Sequence, residues 1–319
     1  MTISVLIPSF QRPHRLTACL QALAKQSVLP TQVLVVWQAE DVQTRDAAEE
    51  LIARLPFRLD VLHSPEAGVV PAENLALDRA VGEIIALIDD DAVPPVDWIE
   101  RHLRFYADPG VGAVGGPADN YYQDGKLFTR LDRTPHGKLM WYGKLFGNMH
   151  TQPVEWRTRT PVEVDHLVGY NFSLRRVAFD RFETGLRRYW QLFELDACLQ
   201  AKARGFRMMF DFGNVVDHHP TNSAYAGGRD GDLEVKVYNA AFNVAFVLSK
   251  HTPLGLRILR LSYLLAIGSV ATPGLLAALV AWRRYGNARR ELSILTRSWG
   301  SMIAGWRAGS RRRNAVIRS

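Results

Sequence analysis

The sequence predicts an α/β domain on a mainly parallel sheet, followed by a helical C-terminal region. Three observations predict it. Short apolar runs alternate with segments of helical periodicity over roughly the first 115 residues. Three aspartates end one of those buried runs, beyond the carboxyl end of a strand, where ligands bind in parallel sheets. The last 80 or so residues then change to long apolar and arginine-rich stretches.

Each element follows from its own pattern. Ile3–Pro8 is a short apolar run closed by a proline and reads as a buried strand. Leu16, Leu20 and Leu23 recur at helical spacing within Arg12–Gln26. Gln32–Trp37 is a β-branched strand, Arg45–Leu55 is helix-like, and Leu59–His63 is a third strand. Pro71 suits the start of a helix over Ala72–Ala80. Glu83–Ile88 is a fourth strand, ending abruptly at Asp89-Asp90-Asp91. A helix over Asp97–Tyr106 and a strand over Val111–Val114 complete the alternation. Residues 118–165 are rich in Gly, Tyr, Trp and His with little periodicity. Such a segment either builds a substrate site or is a plain surface excursion. Val162–Val168 and Phe172–Leu174 are strand-like, Phe193–Arg204 is helical, and Arg207–Val216 is strand-like.

Composition narrows the function. Apolar residues make up 47% and charged residues 22%, ordinary for a folded chain. Cys19 and Cys198 form no metal-finger or CxxC spacing and read as buried core thiols. The N-terminus lacks a basic stretch and a long apolar core, so it reads as a strand and not as a signal peptide. The net charge of +7 is uneven. Residues 283–319 hold ten arginines, one glutamate and no lysine, a net +9, which leaves −2 for the other 282 residues. Basicity is thus a property of the tail, which argues against a nucleic-acid groove over the main domain and for a local anionic partner such as a membrane surface. Neither GxGxxG nor a Walker A sequence is present, which weakens dinucleotide and P-loop readings.

The aspartate triplet carries the chemistry. Packed like charges repel unless a cation or hydrogen-bond donors compensate. Along an extended segment Asp89 and Asp91 share one face. Hard oxygen ligands of this kind suit Mg²⁺ or Mn²⁺ bridging a diphosphate.

Several segments, in order, now carry a resemblance. They are Val5-Leu6-Ile7-Pro8-Ser9-Phe10; the run Gly68-Val69-Val70-Pro71-Ala72-Glu73-Asn74-Leu75-Ala76-Leu77; and Gly82-Glu83-Ile84-Ile85-Ala86-Leu87-Ile88-Asp89-Asp90-Asp91. Gly169-Tyr170-Asn171-Phe172-Ser173-Leu174-Arg175-Arg176, Phe193-Glu194-Leu195-Asp196-Ala197-Cys198-Leu199-Gln200 and Val215-Val216-Asp217-His218 follow. Together they resemble the family-2 inverting glycosyltransferases over about residues 2 to 220. The resemblance implies a GT-A fold, a Rossmann-like mixed sheet with helices on both faces, here with a C-terminal helical appendage. It places a catalytic domain over residues 1–225 and the appendage over 226–319.

By the same resemblance, Asp89 and Asp90 meet the nucleoside or sugar, and Asp91 binds the metal together with His218 or its neighbour His219. The donor site is expected to include Pro8, Ser9, Phe10, Arg12, Gln38 and Asn74, and the acceptor side Gly169, Tyr170 and Asn171. The segment usually written Glu-Asp-x-Asp carries the catalytic base on its second acidic residue; here that position is Glu194, with Asp196 the runner-up. A carboxylate within reach of a sugar hydroxyl takes its proton as it attacks, typically worth ~10²–10⁴ in rate. The chain departs from the pattern at Trp37 to Asp41, where the family commonly has an aspartate that reads the base, and at Glu73, usually arginine. Both changes leave the nucleotide open.

The appendage suggests a membrane. Leu261–Trp282 has 22 residues without a charge, interrupted by Thr272-Pro273-Gly274. It reads as a bilayer span or as a proline-broken helical hairpin in one leaflet. Leu292, Leu295, Trp299, Met302, Ile303 and Trp306 then form one face of an amphipathic helix beside arginines, as an interfacial helix requires. The alternative is a helical pair packed on protein. The expected protein transfers a sugar from a nucleotide-diphosphate donor to a glycan or lipid-linked acceptor, with Mn²⁺ or Mg²⁺, at the cytoplasmic face of a membrane, and takes no nucleic acid. A sugar nucleotidyltransferase, or a decayed transferase that only binds, are the rival readings.

Overall fold

The computed structural model of the protein describes residues 1–121, 125–127, 137–147, 151–187, 192–220, 233–269 and 272–318. The chain divides into two compact units. The first comprises Met1–Lys138, Phe146–Phe182 and Ala197–Ala224; the second comprises Leu139–Leu145, Glu183–Asp196 and Tyr225–Ser319.

The first half of the chain alternates as its periodicity requires. β1 (Ile3–Ser9), α1 (Pro13–Leu23), β2 (Gln32–Gln38), α2 (Val42–Glu49), β3 (Arg58–Ser64), α3 (Val69–Arg79) and β4 (Ile84–Leu87) come first. β5 (Ala92–Val93), α4 (Trp98–Phe105), β6 (Val111–Gly115) and β7 (Ala118–Asn120) follow. Pro13 opens α1, where its missing N–H costs nothing. α2 starts at Val42, three residues before the sequence pattern suggests, because the Asp41 side chain accepts from the Thr44 N–H and caps it.

The later elements are β8 (Lys138–Leu139) and β9 (Leu145–Phe146), which pair with each other, then β10 (Val162–Val164), β11 (Phe172–Arg175) and α5 (Phe193–Ala203). β12 (Arg207–Phe210) and β13 (Val216–His218) come from the single strand-like run Arg207–Val216. A turn at Asp211 splits that run: Asp211 Oδ1 accepts from Gly213 N and Asp211 O from Asn214 N.

Eight strands form the main sheet in the order β10-β12-β6-β11-β4-β1-β2-β3. β4, β1, β2 and β3 run parallel, and β11 lies antiparallel between β4 and β6, so the sheet is mixed. β1 and β2 are buried almost without alternation, as strands covered on both faces are. Ile3, Val5, Ile7, Val33 and Val35 join Leu16, Leu20 and Leu23 of α1 and Trp98 and Ile99 of α4 in one core. Cys19 and Cys198 are buried free thiols, as the sequence suggests. A smaller sheet, β5-β13-β7, carries the chain across the end of β4.

The second unit contains α6 (Leu233–His251), α7 (Arg257–Ala266), α8 (Leu275–Tyr285) and α9 (Ala288–Arg318). Gly305 and Gly309 of α9 lie against α6: a Cβ would meet Phe242 O at 2.2 Å and Phe246 O at 2.1 Å respectively. The face expected to lie in a membrane interface is therefore turned inward in its central part, where Met302 and Trp306 pack with Ala241, Ala245 and Leu248. Burying that stripe against protein satisfies the same hydrophobic demand. The uncharged run Leu261–Trp282 forms no single helix. α7 ends at Ala266 and α8 begins at Leu275, with Pro273 and the left-handed Gly268 (φ 62°) in the break. Among the described residues, no helix is long and apolar enough to cross a membrane.

Candidate functional site

The aspartate triplet emerges from the buried end of β4, between β1 and β11 in the sheet. Register sets the neighbours: β1 pairs Leu6 with Leu87, so the two strands leave the sheet together and Ser9 meets Asp90. Ser9 Oγ donates to Asp90 Oδ2 at 2.7 Å. Arg12 Nη1 lies 2.8 Å from Asp90 Oδ1 and 3.0 Å from Asp91 Oδ2, bridging two buried carboxylates. Burial pushes the Asp90 carboxyl up from its ordinary range, and Arg12 pulls it partly back. Asp89 is the most open of the three.

His218 reaches this cluster through backbone pairing. β13 sets His218 opposite Ala92 of β5 and Asn120 of β7, and the His219 N–H donates to Asp91 O. Nε2 of His218 then lies 3.1 Å from Asp91 Oδ1 and 3.5 Å from Asp89 Oδ2. On the other side of the ring, Nδ1 lies 2.7 Å from Asn120 Oδ1. Burial disfavours the imidazolium, yet Asp89 and Asp91 outweigh it and push the His218 pKa up to about 9. Ligand atoms of Asp89, Asp91 and His218 lie within 4.8 Å of one another. Two carboxylates and an imidazole nitrogen, with the second ring nitrogen held by an amide oxygen, fit a divalent cation such as Mn²⁺ or Mg²⁺. His219 points elsewhere and stacks on Tyr121.

The structure separates the remaining expected site residues. Pro8 and Phe10 are half-buried at the end of β1, beside Ser9 and Arg12. Gln38 is buried and ties two backbones, donating to Ser9 O and accepting from Gly68 N. Asn74 is buried too, exchanging two hydrogen bonds with the backbone of Phe182. Both side chains thus tie backbone segments together at this end of the sheet.

Of the residues expected to meet the acceptor, Gly169 and Tyr170 lie in a buried turn, and Tyr170 stacks on His218 at 5.1 Å between centroids. The fully buried Asn171 side chain accepts from Trp98 Nε1 and donates to Pro117 O and Asn214 O, with His102 Nε2 at 3.2 Å. Its amide thereby links α4, the turn at Pro117 and the turn before β13. Glu194 stands partly buried on the first turn of α5, in the second unit. Asp196 is fully buried and ion-paired with Lys250 and His251, also in the second unit.

Sequence reasoning missed Asn120, which aims His218, and Asp119, which Arg157 Nη2 pairs. Both lie where the irregular segment begins, and the pairing of β7 with β13 sets Asn120 opposite His218 and Asp119 opposite Asp217.

The sequence model of glycosyl transferase family 2 matches residues 4–181. The chain belongs to that family. This family 2 glycosyltransferase is 29% identical over 123 residues to the succinoglycan biosynthesis protein ExoM of Rhizobium meliloti, across 38% of this chain and 40% of that protein. It is 26% identical over 125 residues to the glycosyltransferase AglE of Haloferax volcanii, across 39% and 41%. The matched stretch thus spans about two fifths of the length of these curated relatives.

Solved structures show the fold. The mannosyltransferase PcManGT of Pyrobaculum calidifontis, solved with GDP-Man and Mn²⁺, superposes with a TM-score of 0.57 at 18% identity, covering 98% of this chain and 86% of that one. Residues 1–349 of TarS from S. aureus, solved with UDP, superpose with a TM-score of 0.58 at 17% identity, covering 99% and 92%. The fold of this family 2 glycosyltransferase is therefore GT-A, a mixed sheet with a C-terminal helical part.

Proposed function

We propose that the protein transfers a sugar from a nucleoside-diphosphate donor to a glycan or lipid-linked acceptor, with inversion, in polysaccharide or glycolipid synthesis at the cytoplasmic face of a membrane. The observation that carries this reading is the cluster of Asp89, Asp91 and His218 beyond the carboxyl end of β4, with Asn120 behind the histidine.

Asp91 and His218, with Asp89 at the open side, would hold a divalent cation. When bound, that cation supplies positive charge to the departing diphosphate. Arg12 keeps Asp90 and Asp91 in place and adds a fixed positive charge beside them. Pro8, Ser9 and Phe10 border the same end of the sheet, where the nucleotide would lie.

Glu194 is the general base of this reading. The family pattern puts the base at its position, and the start of a helix favours its ionised form. It accepts the proton of the acceptor hydroxyl as that oxygen bonds to the anomeric carbon. The bond from the same carbon to the phosphate oxygen breaks on the opposite side, and the nucleoside diphosphate leaves with the electron pair. Asp196, the other candidate, already serves an ion cluster.

Membrane contact is assigned to α7 and α8. Ile258, Leu276, Val280 and Trp282 are exposed there, with Arg283 and Arg284 at the end of α8. Apolar anchors beside arginines suit an anionic lipid surface.

The test titrates UDP, GDP, dTDP and CMP into the protein by calorimetry, with and without Mn²⁺, beside Asp91→Asn. Metal-dependent binding of one nucleotide, lost in the variant, is expected. A folded protein that binds none of them would overturn the donor site and favour a decayed transferase.

A further inference from the structure

A set of charged groups in the second unit lies outside the donor site and has no part in the chemistry above. Asp196 and Glu183 are both buried carboxylates. Lys250 Nζ of α6 lies 2.7 Å from Glu183 Oε2 and 2.9 Å from Asp196 Oδ1. His251 Nε2, the next residue, lies 2.8 Å from Asp196 Oδ1. Two turns earlier on the same helix, Asn243 accepts from Arg187 N at 2.8 Å and donates to Arg187 O at 3.2 Å.

These contacts share a geometry. Residues 183–196 form one continuous stretch of the second unit, and Glu194 stands near its end. α6 grips the stretch at Glu183 and Arg187 on one side of Glu194 and at Asp196 on the other. Between the grips, Leu192 adopts a left-handed backbone with φ 76°, a conformation a leucine keeps only when its surroundings impose it. Buried carboxylates held by a lysine and a histidine are costly to rearrange, so Asp196, whose N–H donates to Leu192 O, is fixed two residues beyond Glu194. α9 backs this arrangement, with its glycines against α6 and Arg312 Nε 3.3 Å from Glu183 Oε2.

We propose that α6 is a positioning element for the general base: Lys250 and His251 hold Asp196 two residues beyond Glu194, and Asn243 holds Arg187 ahead of it, so the C-terminal helices serve turnover as well as attachment. The proposal rests on the reading of Glu194 as the base.

The test uses the full chain and compares His251→Leu, which removes the hydrogen-bond donor, with His251→Gln, which places an amide nitrogen near the position of Nε2. Amide hydrogen exchange is read over residues 196–199. The leucine variant is expected to raise exchange there about tenfold or more and the glutamine variant to restore protection, while β1 and β4 stay unchanged. Protection unchanged in the leucine variant, or lost equally along α9, would overturn the proposal.

A kinetic arm follows nucleoside-diphosphate release from the matching sugar nucleotide. His251→Leu and Asn243→Ala are expected to lower kcat roughly 10- to 100-fold with little change in donor KM. Neither is expected to lower it further in a Glu194→Gln background, because both act through that carboxylate. Full additivity in that background would reduce the anchors to a structural role. Wild-type turnover by Glu194→Gln would instead remove the base reading, and the exchange data would still report whether α6 fixes the turn.

Discussion

Asn120 Oδ1 lies 2.7 Å from Nδ1 of His218 and fixes which nitrogen of that ring faces Asp89 and Asp91. An amide oxygen accepts only, so Nδ1 carries a proton and Nε2 is the nitrogen offered to a cation. Outer partners of this kind typically account for 10–100-fold in metal affinity. Asn120→Ala is expected to weaken Mn²⁺ binding by about that factor, while Asn120→Asp keeps an acceptor and binds at least as well as wild type. Mn²⁺ titration followed by electron paramagnetic resonance decides it, and equal affinity in the alanine variant would refute the role given to Asn120.

Arg12 supports the same cluster from the other side. Its Nη1 is shared by Asp90 and Asp91, both buried, so its removal strands two carboxylates with less compensation. Breaking a buried pair in this way typically costs ~3–5 kcal/mol. Arg12→Met is expected to lose about 3 kcal/mol of stability near neutral pH, measured by urea unfolding. A loss below about 1 kcal/mol would place Arg12 among ordinary surface ion pairs.

His102 gives the fold an acid sensitivity of its own. It is fully buried in the main core, with Nδ1 2.8 Å from Ser173 Oγ and Nε2 3.2 Å from Asn171 Oδ1. Burial lowers its pKa from 6.5 to about 4, against a smaller pull upward from Asn171. The unfolded chain therefore binds more protons than the folded one between those values, and stability falls as pH falls through that window. Between about pH 7.5 and about pH 4.5 the wild type is expected to lose on the order of 2 kcal/mol more than His102→Gln. Parallel urea curves for the two proteins across that range would show that His102 does not titrate as its burial demands.

Local pattern and tertiary pairing divide what the sequence reveals. The strands β1 to β4 and the aspartates after Ile88 were legible because runs of apolar residues and an abrupt charge triplet are local signals. The inward use of Asn74, Gln38 and Asn171 was not legible. An asparagine that clamps a backbone about 100 residues away leaves no periodic mark, and only the packed chain shows that its amide is already spent. Asn120 was missed for the same reason, since strand register alone sets it beside His218. In the appendage, the hydrophobic period of α9 marks Leu295, Met302 and Trp306, which are buried, together with Leu292 and Ile303, which are exposed, because period cannot say what covers a face. The glycines at 305 and 309 were the signal, because they let α6 come close enough to fill that role.

What α9 buries, α8 leaves open. Leu275, Leu276, Leu279, Val280 and Trp282 are all exposed, and Tyr285 lies just beyond them. Arg283 and Arg284 follow on the last turn. An interfacial helix gains affinity from buried apolar area and from attraction to anionic lipid together. The full chain is therefore expected to sediment with phosphatidylserine-containing vesicles and less with phosphatidylcholine alone. Leu276→Glu with Val280→Glu is expected to reduce that binding by an order of magnitude or more, at about 1–3 kcal/mol for each lost anchor. Because both positions face solvent, the variant should unfold at the same urea concentration as wild type. Rising salt should weaken the wild-type interaction through its arginines, at about 1 kcal/mol for each arginine near the surface. Vesicle binding that survives the double substitution would move the contact away from α8, and an absence of binding to either vesicle would leave that exposed face to a protein partner.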